Sequence, residues 1–216
     1  MLMRSYLYLA AAAASAVAMA LAVSPAEAST GHVLTTGKAG GAAVKANAVL
    51  KAGLAKGKMV TFTTSGETLT CSSASFSAKV TSNPTKPGKA TESLTKQSFS
   101  KCKVSVAGAT VKSIKAGNLP YSVSVSDKGD VVTISGTKAK PLEFTAKVAV
   151  PGFGTITCTD TASKITGKAS NNGNTITITK QKFKGPGGFC VSGSFSATFG
   201  PVTDTSAKGN PKVFVN

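Results

Sequence analysis

The chain predicts an all-β fold: two related, disulfide-closed antiparallel β units, sandwich-like, standing in tandem or as pseudo-symmetric halves. Three observations carry that expectation. The second half repeats the first: Thr68-Leu69-Thr70-Cys71 returns as Thr155-Ile156-Thr157-Cys158, Thr95-Lys96-Gln97-Ser98-Phe99 as Thr179-Lys180-Gln181-Lys182-Phe183, and Ala109-Thr110-Val111 as Ala197-Thr198-Phe199. The offsets of these blocks are 87, 84 and 88 residues, so loop-sized changes separate otherwise parallel copies of one supersecondary unit. Each copy also carries two cysteines. Four cysteines allow three pairings, and a unit that once stood alone closes on itself, which predicts Cys71–Cys102 and Cys158–Cys190. Finally, short runs rich in Thr, Ser, Val and Phe recur every 8 to 15 residues or so, with turn residues between them, and patterns of helical period are almost missing.

The chain opens on Arg4 and a largely apolar run from Tyr6 to Val23, followed by Ala26-Glu27-Ala28, the small-x-small pattern that a signal peptidase reads. Residues 1–28 are therefore expected to be a signal peptide cleaved after Ala28, leaving no transmembrane segment in the mature protein. Residues 29–41 are small, polar and glycine-rich, and are expected to form a flexible N-terminal segment. The first β repeat is placed at 42–118 and the second at 119–216. Val44, Ala46, Ala48 and Leu50 set a strand pattern in the stretch before Gly53 and Gly57. Met59 to Thr64 and Glu67 to Val80 follow as strands, broken by Asn83-Pro84-Thr85-Lys86-Pro87-Gly88. Cys102, Val104 and Val106 alternate with Lys101, Lys103 and Ser105, one face in and one out. Tyr121, Val123 and Val125 do the same before the turn Asp127-Lys128-Gly129-Asp130, and Val131 to Ser135 completes a hairpin. Phe144, Ala146, Val148 and Val150 lead to the tip Pro151-Gly152-Phe153-Gly154. Asn172-Gly173 marks a tight primed turn into Ile176 and Ile178. Gly185-Pro186-Gly187-Gly188 is an insertion of the second copy, after which Val191, Phe195 and Phe199 close the pattern.

Composition bounds the function. The net charge of +17 survives removal of residues 1–28, because Arg4 and Glu27 leave together, and the 24 basic residues that remain are all lysine. Without arginine the chain lacks the planar, bidentate group that reads phosphates and bases, so specific nucleic-acid recognition is not expected. Diffuse, salt-sensitive attraction to polyanions outside the cell is what dispersed lysines offer. His32 is the one histidine and falls in the segment read as flexible, which leaves a serine or cysteine nucleophile without a held base. The cysteines are committed to bridges, and their spacing has no Cys-x-x-Cys pair, so neither thiol catalysis nor a metal site is expected.

Seven carboxylates follow Ala28: Glu67, Glu92, Asp127, Asp130, Glu143, Asp160 and Asp204. A glycosidase pair needs a sugar cleft lined by Trp or Tyr, and there is no Trp in the chain. Asp127 and Asp130 bracket a turn and supply too few oxygens for calcium. Asp160 is expected to pair with a lysine. No catalytic residue, metal or cofactor is assigned. Phe153, on a Gly-flanked tip, is the candidate ligand contact, with Phe189 a weaker one because Cys190 adjoins it.

The order of Thr-Leu-Thr-Cys71, Phe-x-x-Cys102, Asn118-Leu119-Pro120-Tyr121, Thr-Ile-Thr-Cys158 and Phe-Cys190 behind an export signal resembles small secreted β-rich proteins of high-GC Gram-positive (actinobacterial) bacteria. The resemblance rests on framework residues; it implies a secreted β protein, extracellular or associated with the cell wall, and transfers no activity and no site. The function expected from the sequence is a non-enzymatic binding or structural protein at the bacterial envelope, held on anionic polymers by its lysines. The alternative is a secreted effector, toxin-complex subunit or inhibitor that recognises an extracellular protein.

Overall fold

The computed structural model describes residues 31–64 and 66–216; the signal-peptide assignment lies outside them. The described residues form sixteen strands and no helix. The first eight are β1 (Leu34–Thr36), β2 (Ala42–Ala43), β3 (Val49–Gly53), β4 (Val60–Thr63), β5 (Thr68–Ser82), β6 (Lys89–Val104), β7 (Thr110–Gly117) and β8 (Tyr121–Ser126). The rest are β9 (Val131–Ser135), β10 (Leu142–Val150), β11 (Gly154–Ala162), β12 (Lys164–Ser170), β13 (Thr175–Phe183), β14 (Gly193–Phe199), β15 (Thr203–Asp204) and β16 (Val213–Val215).

The main sheet is a closed, antiparallel eight-strand barrel, in the order β5-β6-β8-β9-β12-β13-β14-β4 and back to β5. Closure leaves no exposed edge in that ring. Its interior is filled by the alternate residues of each strand: Ala90 and Leu94 of β6, Val123 and Val125 of β8, Val132 of β9, Ile165 and Ala169 of β12. One end is capped by the small sheet β16-β1-β2. Asparagine side chains clasp that cap to the barrel. Asn171 donates from Nδ2 to Val215 O at 2.6 Å and accepts from Val215 N at 3.0 Å. Asn83 does the same with Leu34, at 2.8 Å to its carbonyl and 2.9 Å from its amide.

Two expectations need correction. Residues 29–41 are not a flexible start where they are described, because Val33, Leu34 and Thr35 are 0–2% exposed and β1 pairs with both β16 and β2. Apolar burial and two sets of ladder bonds order a segment that composition alone reads as loose. Nor are the two repeats tandem sandwiches. First-half β4 pairs with second-half β14, and β6 pairs with β8, so an arc of each half joins the other at two seams to close one wall.

The long strands β5 and β6 run past the barrel and enter a second ring. There β6 meets β7, β7 meets β10 and β10 meets β11; Thr161 of β11 then exchanges two backbone hydrogen bonds, 2.9 and 2.8 Å, with Lys184 at the end of β13. The ring is completed through β14, β4 and β5. In its order, β4-β5-β6-β7-β10-β11-β13-β14, each repeated block lies four places from its copy: β5 opposite β11, β6 opposite β13, β7 opposite β14. The matching sequence blocks thus lie at opposite places of one ring rather than in two separate domains.

A phenylalanine cluster separates the two interiors. Phe62, Phe99, Phe144, Phe183 and Phe195 meet at centroid distances of 5.0–6.3 Å, mostly edge to face. Along β6 the inward order is Leu94 in the barrel, Phe99 in the cluster and Val104 in the second ring. Each such ring contributes roughly 1.5–3 kcal/mol by burial, with about 0.5–1.5 kcal/mol more for a well-placed pair.

Candidate functional site

Beyond the phenylalanine cluster the second ring encloses a chamber of about 400 Å³. That volume falls in the range of small-molecule sites, about 300–1,000 Å³. Its walls are the inward residues of strands already committed to pairing. Ala146, Val148 and Val150 of β10 stand beside Ile156 and Cys158 of β11, and Leu69, Val104 and Ile114 face them from β5, β6 and β7. The register fixes its depth. Phe144 sits at the floor and Val150 at the mouth, six residues or about 20 Å along the strand.

Four segments make the mouth: Thr64 with Gly66–Glu67, 105–109, 151–153 and 185–192. The sequence-predicted contact, Phe153, lies there, 67% exposed, with its ring 5.7 Å from that of Phe189, itself 72% exposed. Both line the chamber. Local chemistry displays them. Gly152 and Gly154 flank Phe153 at φ +77° and +76°, and Gly187 and Gly188 precede Phe189 at φ +105° and +62°. These are left-handed conformations that glycine adopts without penalty, and they throw the intervening or following ring outward. The Gly187–Cys190 turn is closed by reciprocal backbone bonds of 3.1 and 3.0 Å. The Cys158–Cys190 disulfide ties it to β11, so Phe189 is leashed beside Phe153. The other bridge, Cys71–Cys102, joins directly opposed residues of β5 and β6.

Two carboxylates mark the two ends of the chamber. Glu67 stands at the rim, exposed, and accepts a hydrogen bond from Ser105 Oγ. Asp160 lies at the floor opposite Phe144, and its Oδ1 is buried without a hydrogen-bond partner. Burial raises its pKa above the ordinary aspartate value. The expected lysine partner is not what the structure puts against it: the walls around Asp160 are apolar. The alternation Cys158-x-Asp160 on a strand whose inward face carries Ile156 already pointed it inward; what β10 and β6 would place around it was not legible.

The main barrel holds a separate, smaller cavity of about 70 Å³, lined almost wholly by apolar residues and by one charged group, Glu92. Glu92 is 8% exposed, and desolvation raises its pKa to about 7. The carbonyl oxygen of the Asn174 side chain, in the same lining, is buried and unpartnered.

The remaining candidates have structural places. Asp127 accepts from Gly88 N at 2.9 Å and Asp130 adopts φ +55° in the same turn. His32 bonds Asn83 O through Nδ1 at 2.7 Å. Glu143 accepts from Asn118 at 3.2 Å, and its backbone N–H donates to Tyr121 OH at 2.9 Å, which in turn bonds Gly117 O and pins the corner from β7 to β8. Among the described residues no group of three or more His, Cys, Asp or Glu is placed to hold a metal.

Comparison of the chain with known protein families, with curated proteins and with solved structures returns no match. The two disulfides are compatible with an extracellular location, and no helix among the described residues is long and apolar enough to cross a membrane.

Proposed function

We propose that this is a secreted, non-enzymatic ligand-binding protein of the bacterial envelope, which holds the apolar part of a small amphiphile in the chamber behind Phe153 and Phe189. The observation that carries the reading is the chamber itself: about 400 Å³ of apolar space, open at one end, in a chain that otherwise packs its core with phenylalanine. Fold stability alone favours filling such a void, since an unfilled cavity forfeits packing. The lysine-rich exterior supplies retention near anionic envelope polymers that is weak and salt-sensitive. Glu67 and Asp160, at opposite ends of the chamber, suit recognition of a ligand's polar group better than paired carboxylate chemistry, because the length of the chamber lies between them.

The test is displacement of an environment-sensitive apolar dye by fatty acids and fatty alcohols, read by fluorescence. Ala146 points into the chamber from the middle of β10, so Ala146→Trp fills it; dye affinity is expected to fall at least tenfold with the melting temperature nearly unchanged. Dye binding that is indifferent to Ala146→Trp would remove the chamber as the binding site.

A further inference from the structure

The distribution of lysine differs sharply between the two ends of the molecule. Loops 37–41, 83–88, 127–130 and 205–212 at the capped end carry Lys38, Lys86, Lys128, Lys208 and Lys212. Of the loops at the chamber mouth, 64–67, 105–109, 151–153 and 185–192 contain no lysine at all; they are Gly, Ala, Ser, Thr, Pro, Val, Cys and Phe, with Glu67 the one charged side chain. On a chain of net charge +17 this is a selective omission. Just below the rim the lysines return. Lys103, Lys112 and Lys147 are exposed and point outward from β6, β7 and β10, as the inward positions of their neighbours Val104, Val111 and Val148 require. They stand two to four residues from the mouth loops, about 7–13 Å along the strands.

From this layering we infer that the rim is a membrane-docking face: it dips into the outer surface of an anionic lipid bilayer, and the chamber exchanges an acyl chain with that bilayer through the gap between Phe153 and Phe189. The inference rests on the reading of the chamber as a binding site and names the source of its ligand. Apolar side chains of interfacial segments settle about 5–10 Å below the headgroups, and lysine stems reach back to the headgroup layer with their ammonium groups. The lysine belt stands at that height when the two rings are immersed. Val191, 40% exposed beside Cys190, and Pro151 and Pro186 widen the apolar tip. A bilayer suits this face better than a folded partner does, because the tip consists of two rings and small residues with no polar rim to fix a protein's register.

The experiment uses the protein without residues 1–28 and sedimentation with vesicles of phosphatidylglycerol and phosphatidylcholine in equal parts. Wild-type protein is expected to sediment with them. Phe153→Ser with Phe189→Ser should lower the partition coefficient at least tenfold; both side chains are exposed, so the fold survives. Changing Lys103, Lys112 and Lys147 to Gln should reduce binding severalfold more than changing Lys38, Lys128 and Lys208 to Gln, though the net charge removed is the same. Equal loss from the two lysine sets would mean unoriented electrostatic adsorption and would overturn the inference. So would full binding by the double serine variant, or a concentration-dependent dimer that hides the rim and shows no vesicle uptake. Ala146→Trp fills the chamber but leaves the rim intact, and should still sediment while losing the apolar dye, so docking and chamber binding fail separately.

Discussion

At the scale of single residues, Glu92 is where the fold departs most from its own logic. The pattern Ala90-x-Glu92-x-Leu94 puts a carboxyl on the inward face of β6, cross-strand from Val123, where a valine would serve the barrel better. No other charged side chain lines the cavity it faces. Burial moves its pKa from an ordinary 4.5 to about 7. Between those values the folded protein keeps a proton that the unfolded chain has released, so stability falls as pH rises through this window. Above it the penalty is about 3 kcal/mol, from roughly 1.4 kcal/mol per pH unit. Glu92→Gln is therefore expected to flatten the slope of unfolding free energy between pH 4.5 and 7 and to gain about 2–3 kcal/mol at pH 8. Urea melts of both proteins across that range are the measurement. Parallel curves would mean that Glu92 ionises as freely in the fold as out of it. The inward position of Glu92 was legible in the strand alternation; its isolation was not, because the residues around it come from β8, β9 and β12.

At the scale of elements, the two disulfides do different work although the duplication makes them equivalent. Cys71 and Cys102 face each other across β5 and β6, strands already paired along most of their length, with Cys71 fully buried. That bridge constrains the unfolded chain and packs the core. Cys158–Cys190 instead reaches from β11 to a loop held otherwise by the Gly187–Cys190 turn and the Thr161–Lys184 bonds. Replacing Cys71 and Cys102 by Ala should cost about 3–4 kcal/mol of stability and leave dye affinity nearly intact. Replacing Cys158 and Cys190 by Ser should weaken dye binding severalfold, since Phe189 loses its tether, with a stability loss of the same order because the two bridges span sequence separations of 31 and 32. Urea melts and dye titrations separate the two effects; equal profiles for both pairs would show that the loop tether has no part in the chamber.

For the molecule as a whole, the two halves of the chain share one main sheet. The main barrel takes β4, β5 and β6 from the first repeat and β8, β9, β12, β13 and β14 from the second, while the chamber ring takes four strands from each. A chain cut at the repeat boundary takes β14 from β4 and β8 from β6, leaving each with an unpaired edge, and opens both rings. Residues 29–118 and 119–216, expressed separately, are each expected to be unfolded by circular dichroism and proteolysis, whereas the full mature chain melts in a single transition. A folded, protease-resistant half would show that the ancestral unit still stands alone.

The β class, the strand faces and the phenylalanine tip at Phe153 all follow from local chemistry: branched and hydroxyl side chains alternating along short runs, and glycine where φ turns positive. The duplication names the same cysteine partners that the disulfides join. What local chemistry does not contain is which strand edge meets which. A repeated unit with unpaired edges has two ways to satisfy its backbone, within itself or against its copy, and both place the same side chains inward. The tertiary structure chose the copy, since closing the edges around a common ring leaves the strands of the main barrel no open edge. That choice ordered β1 under β16, split the interior into a filled barrel and an open chamber, brought Phe189 to Phe153 across about 36 residues of sequence, and left Asp160 and Glu92 facing apolar walls supplied by distant strands.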